Sequence, residues 1–206
     1  MYIIIVGTAY PYRGGLAAYN ERLAREYQKQ GHKVEIITFT LQYPGFLFPG
    51  KTQFSSEARP EDLKISRTIS SINPYTWIKT GLKIKKKSPD KVIFCYWMAF
   101  MAPCFTTIAN YARNGKTKMI GLIHNMIPHE PTILDKLFPK SFVKAMDGFV
   151  AMAESVVSDI NSFDRDLKRK ELSPHPIYDH YGEKVDRSLA AMRLGLHEES
   201  HYILFF

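Results

Sequence analysis

The segment from Tyr2 to Thr38 constrains the fold more than any other part of the chain. An apolar run, Tyr2 to Val6, leads into Gly7-Thr8-Ala9-Tyr10-Pro11-Tyr12-Arg13-Gly14-Gly15. Leu16, Tyr19, Leu23 and Tyr27 follow at helical spacing, Gly31 breaks the pattern, and a second apolar run covers Val34 to Thr38. The order is strand, glycine loop, helix, strand, and a crossover of this kind makes the two strands parallel neighbours with a right-handed connection. The loop then lies at the carboxyl end of the first strand, the side on which open α/β sheets bind ligands. Gly14 and Gly15 stand just before the helix, where bare backbone N–H groups and the positive dipole end favour an anion such as a phosphate. The same glycines also suit a plain tight turn, and their spacing is not the G-x-G-x-x-G of a dinucleotide fingerprint. Both readings stay open on the pattern alone.

The rest of the chain repeats the alternation. Leu63 to Ile69, Val92 to Tyr96, Lys118 to Ile123 and Gly148 to Met152 read as strands. Helices are expected over a segment starting at Pro74 with Trp77, Ile78, Leu82 and Ile84, over Phe105 to Arg113, over Ile133 to Met146, and from Glu154 or Ser155 to Ser162. Strands alternating with helices predict an α/β fold with a doubly wound, mostly parallel, Rossmann-like sheet. Thr40 to Asp62 is rich in Pro, Gly, Phe and Ser and is expected to be a long functional loop. Within it, Gly45-Phe46-Leu47-Phe48-Pro49-Gly50-Lys51-Thr52 satisfies the P-loop expression G-x-x-x-x-G-K-[ST]. The match is expected to be false, because Pro49 has no N–H to offer a phosphate and Gln53 to Arg59 carries no apolar helical stripe.

From Leu172 the character changes. Ser173-Pro174-His175-Pro176-Ile177-Tyr178-Asp179 reads as a linker, Lys184 to Leu194 as a short basic helix ending at Gly195, and Tyr202-Ile203-Leu204-Phe205-Phe206 as a bulky apolar strand. The expected division is a Rossmann-like domain over residues 1–176, followed by linker, helix and the first strand of another domain over 177–206. An unpaired strand of this kind is an aggregation-prone edge, so residues 183–206 are expected to fold back on the first domain or to self-associate.

Charge and cysteine usage bound the partners. Twenty-eight Lys and Arg against 20 Asp and Glu give a formal charge of +8, which favours acidic partners without choosing among them. Lys83, Lys85, Lys86 and Lys87 close the helix that starts at Pro74, where cations suit the macrodipole, so a solvated cap is favoured over a membrane or nucleic-acid patch. Cys95 and Cys104 sit in apolar surroundings without ligand or C-x-x-C spacing, which predicts buried thiols in a reduced, cytoplasmic setting. No run of 18 apolar residues occurs, so contact with a membrane would be peripheral.

Two loops at strand ends should converge on one cleft: Tyr10 to Gly15 and His124-Asn125-Met126-Ile127-Pro128-His129-Glu130. His124 and His129 are five apart across Pro128 and lack a third ligand, so no metal is expected. The adjacent His129 and Glu130 could supply an acid or base. No G-x-S-x-G motif supports a serine nucleophile.

Pro11-Tyr12-Arg13-Gly14-Gly15, Gly31-His32-Lys33-Val34, Ser88-Pro89-Asp90-Lys91-Val92-Ile93, His124-Asn125 to Pro128-His129-Glu130, Ala153-Glu154-Ser155 and His175-Pro176-Ile177-Tyr178-Asp179 together resemble glycosyltransferase family 4, of the GT-B fold. The resemblance spans essentially the whole chain. It implies the amino-terminal, acceptor-side domain of a retaining enzyme that transfers a sugar from a nucleotide-sugar donor to a glycan or lipid-linked acceptor. The setting implied is polysaccharide biosynthesis in the cytoplasm or at the inner membrane face, without metal or other cofactor and without nucleic acid. It also implies that Gly14 and Gly15 approach the donor diphosphate and that His124 lines the site near the transferred sugar. Tyr12, Arg13, His129 and Glu130 become acceptor-side residues. The family's donor-domain pair of glutamates, E-x7-E, falls beyond Phe206, so transfer by these 206 residues alone is not expected. Two other classes remain: a non-catalytic module binding a phosphorylated or lipid-linked glycan, and a dinucleotide-dependent enzyme. The latter is disfavoured because Gly7 and Gly14 are far apart and Glu35 lies too early in its strand to hold a ribose.

Overall fold

A computed structural model describes residues 1–45, 52–127, 133–176 and 182–203, with the side chains of 133–136 also outside it. The chain divides into two compact units, Met1–Pro174 and His175–Phe206. In the first, β1 (Tyr2–Val6), α1 (Gly15–Lys29), β2 (Lys33–Leu41), β3 (Ile65–Ser70) and α2 (Pro74–Lys87) are followed by β4 (Lys91–Tyr96) and a 3-10 turn over Ala99–Met101. Next come α3 (Ala102–Ala112), β5 (Lys118–Ile123), α4 (Ile133–Ala145), β6 (Gly148–Ala151), α5 (Glu154–Phe163) and β7 (Arg169–Leu172). The described strands form one seven-stranded sheet in the order β3-β2-β1-β4-β5-β6-β7, and every pairing is parallel.

Burial explains why the central strands are apolar on both sides. Ile4, Val6, Ile37, Phe94, Tyr96 and Ile123 face a core shared with Ile84 of α2, Phe105 and Ile108 of α3, Phe142 of α4 and Ile160 of α5. Ile3, Ile5, Ile36, Ile93 and Leu122 face the opposite way, toward Ala24, Leu23 and Tyr27 of α1. Both thiols are buried, and burial pushes their pKa values well up, so neither is poised for chemistry.

The contact between α2 and α3 depends on Gly81. A Cβ there would lie 2.6 Å from Cβ of Tyr111 and 2.8 Å from the carbonyl oxygen of Ile108. The second neighbour is backbone and cannot rotate away. Gly81→Ala is therefore expected to destabilise by about 1–3 kcal/mol through overpacking, although alanine is the better helix former by about 1 kcal/mol. A thermal melt checks this: an unchanged or higher Tm would mean that the helices separate at no cost.

Three details differ from the expectations. β2 runs on through Thr40 and Leu41, which the sequence pattern places in the loop. β7 is absent from the sequence reading because Arg169-Lys170-Glu171-Leu172 has no apolar pattern; among the described residues it pairs on one side only, and a charged edge strand is how a sheet guards an open edge. Leu82, expected on the inner stripe of α2, is exposed, whereas Thr80, Gly81 and Ile84 are buried.

In the second unit, α6 (Arg187–Leu194) is capped by Asp186, whose carboxylate accepts from Ser188 N at 2.9 Å, and it ends at Gly195 with φ 65°. Tyr202 and Ile203 are in no strand, and the remainder of the expected terminal strand lies outside the described residues.

Candidate functional site

The carboxyl ends of β1, β5 and β6 meet around the first turns of α1. The β1–α1 loop is fixed by buried Ala9 and Tyr12 and by a set of hydrogen bonds. Gly7 N donates to the Ile37 carbonyl at 3.1 Å, and Ala9 N donates to Oγ1 of Thr38 at 3.1 Å. Tyr10 N donates to the Glu21 carboxylate at 2.8 Å, and Nδ2 of the buried Asn20 donates to the Thr8 carbonyl at 2.9 Å. Burial pushes the Glu21 carboxyl up, and the Tyr10 N–H works the other way. Gly7 leaves no space for a side chain: a Cβ would be 2.9 Å from both Nδ2 of Asn20 and Cβ of Cys95.

The loop so fixed delivers Arg13, Gly14 and Gly15 to the surface. Gly14 adopts φ 107° and ψ 174°, a conformation that disfavours any residue with a Cβ, and the space in front of it is open. Helix α1 has no side-chain cap and no acidic residue in its first turn, so its leading N–H groups and dipole face outward uncompensated. One turn further along, the Tyr19 ring packs edge-on against His124 with centroids 4.9 Å apart, and Tyr19 reaches toward Sδ of Met152 at 4.0 Å. These contacts place the start of α1 beside the ends of β5 and β6. His124 is half-buried directly after β5, and its backbone N–H donates to the Tyr96 carbonyl at 2.9 Å. Further along, burial pushes the Asp159 carboxyl of α5 up, and the nearby Ile127 N–H works the other way.

The expected site residues therefore separate into three groups. Gly14, Gly15 and His124 come together at the sheet's carboxyl edge, with Arg13 on the exposed rim. Tyr12 does not share that rim: it is buried, its hydroxyl accepts from Gln42 N at 3.0 Å, and its ring packs on Phe39 and Phe54. That is a bracing position, tying the glycine loop to the end of β2, and corrects its expected place among acceptor-facing side chains. His129 and Glu130 lie outside the described residues. So does most of the Gly45–Thr52 match, but no helix follows Thr52, residues 52–64 being loop.

Sequence reading missed Asn20, Thr38 and Glu21. Only Asn20 left a signal, a polar residue on the stripe that α1 buries with Ala17 and Ala24. Among the described residues no group of three or more His, Cys, Asp and Glu could hold a metal ion, and no helix is long and apolar enough to cross a membrane.

The sequence matches no protein-family model, and no curated protein matches it significantly. Solved structures do. An α-glucosyltransferase in complex with UDP-glucose and DNA containing an abasic site superposes with TM-score 0.56 at 11% identity, over 84% of this chain and 42% of that one. Sucrose-phosphate synthase from Thermosynechococcus elongatus gives TM-score 0.52 at 9% identity, over 95% of this chain and 96% of that chain. The fold is that of a GT-B half-domain. At these identities the likeness is one of fold, and the chain spans about 42% of the length of the glucosyltransferase. In this half-domain Glu35 is no ribose ligand. It is buried in the amino-terminal half of β2, where Lys87, Lys64 at 3.3 Å and the Tyr2 hydroxyl at 3.1 Å surround it. Burial alone would raise its carboxyl, but these partners outweigh it and hold the pKa below the ordinary value. The Tyr2 phenol, partly buried and beside that carboxylate, is pushed up to about 12.

Proposed function

We propose that the chain is the amino-terminal, acceptor-side domain of a retaining glycosyltransferase resembling family 4, transferring a sugar from a nucleotide-sugar donor to a glycan or lipid-linked acceptor. The observation that carries this reading is the uncapped, outward-facing start of α1 at the carboxyl end of β1, one helical turn from His124. A helix start of this kind suits a diphosphate by charge and by hydrogen bonding. The imidazole alongside would contact the sugar attached to it. In transfer, the bond from the anomeric carbon to the diphosphate oxygen breaks, a bond to the acceptor oxygen forms, and the acceptor's hydroxyl proton is released to water. Negative charge therefore grows on the departing diphosphate, and N–H groups aimed at that oxygen stabilise it most when it matters. The solved glucosyltransferase of the same fold, which holds UDP-glucose, supports the choice of donor class. Arg13, His129 and Glu130 are proposed for the acceptor side, Tyr12 as their support, and neither metal nor other cofactor is assigned.

The dinucleotide-dependent alternative loses its ribose-binding carboxylate to the ion cluster around Glu35. A non-catalytic glycan-binding module would use the same cleft without donor. Thermal shift and radiolabel transfer on the polypeptide that carries this domain, with UDP- and GDP-sugars, NAD(H) and lipid-linked glycans, separate the three. Stabilisation by a nucleotide sugar and labelled product are expected. A shift with NAD(H) alone, or with glycan alone and no product, would replace the reading by one of the others.

A further inference from the structure

The positive charge of this chain is concentrated. Between Leu63 and Ile127 stand eleven Lys and Arg against a single acid, Asp90, a formal +10, so that with a total of +8 the remainder is net −2. Much of this charge lies on α2. Thr80, Gly81 and Ile84 mark its inner face, and the outward pole, on the opposite side of the helical wheel, carries Tyr75, Lys79, Leu82 and Lys86. Lys83 and Lys85 flank that pole and are exposed. Among the described residues none of these four lysines has an ion-pair partner, whereas Lys87 is committed to Glu35. Helix α3, which packs beside α2, contains no acidic residue, and its last turn adds the exposed Tyr111 over Gly81. Asn114 then donates to Oγ of Ser88, which brings Lys116 close to the lysine-rich end of α2.

A merely solvated helix face would be polar at its pole. Here Tyr75 is 68% exposed, Leu82 is 50% exposed, and Ile72 just ahead of the helix is 53% exposed. Apolar side chains outermost, ringed by lysines long enough to reach past them, match a helix lying in a lipid interface, with rings and aliphatic groups at the acyl boundary and ammonium groups among anionic headgroups. Nucleic acid would exploit the charge but gain nothing from Leu82 and Ile72, and α2 offers no arginine for bidentate phosphate contacts. We propose that the outward face of α2, with Tyr111 and Lys116, is a docking surface for a bilayer rich in anionic lipid. This surface stands apart from the transfer reading, since vesicle binding requires no sugar donor.

Co-sedimentation of the full chain with phosphatidylcholine vesicles containing about 30% phosphatidylglycerol tests it. Binding is expected, with loss at high salt and little binding to pure phosphatidylcholine. Lys79→Gln/Lys83→Gln/Lys86→Gln should lower the partition coefficient about a hundredfold, at roughly fivefold per lysine. Leu82→Ser should lower vesicle binding severalfold while leaving binding to a DNA duplex unchanged, with Tm the control for folding in both variants. Equal binding to neutral vesicles, full binding by the triple variant, or indifference of vesicle binding to Leu82→Ser would each overturn the proposal, the last by reducing the surface to a general polyanion patch.

Discussion

His124→Ala in the polypeptide that carries transfer is expected to lower turnover at least tenfold, and by roughly 10² if the imidazole contacts the reacting sugar, with little change in Tm. The ring is half-buried, and what holds the residue in place is backbone, His124 N on the Tyr96 carbonyl. That bond survives removal of the side chain. The edge-on contact with Tyr19 would be lost, a loss of about 1 kcal/mol for an aromatic pair, which is small beside the kinetic effect. A marked drop in Tm with normal turnover would show instead that His124 is a packing residue for Tyr19.

How much of this was legible in the sequence follows from how local each feature is. The β1-α1-β2 unit was readable because apolar runs, helical spacing and Gly31 all lie within 40 residues and agree with one another. Central strands such as Val92–Tyr96 were readable because a strand covered on both faces must be apolar throughout. Edge strand β7 is the opposite case: only Leu172 in it is apolar, and what makes it a strand is the register offered by β6. Glu35 looked like an ordinary polar residue early in a strand. Its burial depends on Lys87, 52 positions away and supplied by α2, and no local pattern announces such a partner. Tyr12 shows the same limit at the site. Its place beside Arg13 and the glycines suggested a ligand contact, yet the loop folds its ring inward onto Phe39 and hands its hydroxyl to Gln42, 30 residues on. Neighbours in sequence along a tight loop point in opposite directions. The glycines were therefore easier to place than the aromatic residue between them and the strand.

The central claim is that the start of α1 receives the donor diphosphate. Gly15 is the first residue of that helix and is exposed, directly after the positive-φ Gly14. Gly15→Val puts two methyl groups where phosphate oxygens must approach backbone N–H groups, while valine's φ and ψ remain permissible in a first helical turn. Donor kinetics of Gly15→Val, measured together with its melting curve, is the most direct test. The account predicts a rise in donor KM and a fall in kcat/KM of about 10² or more, with Tm within a few degrees of the parent protein. Unchanged donor kinetics in a folded Gly15→Val protein would contradict it and move the diphosphate away from α1.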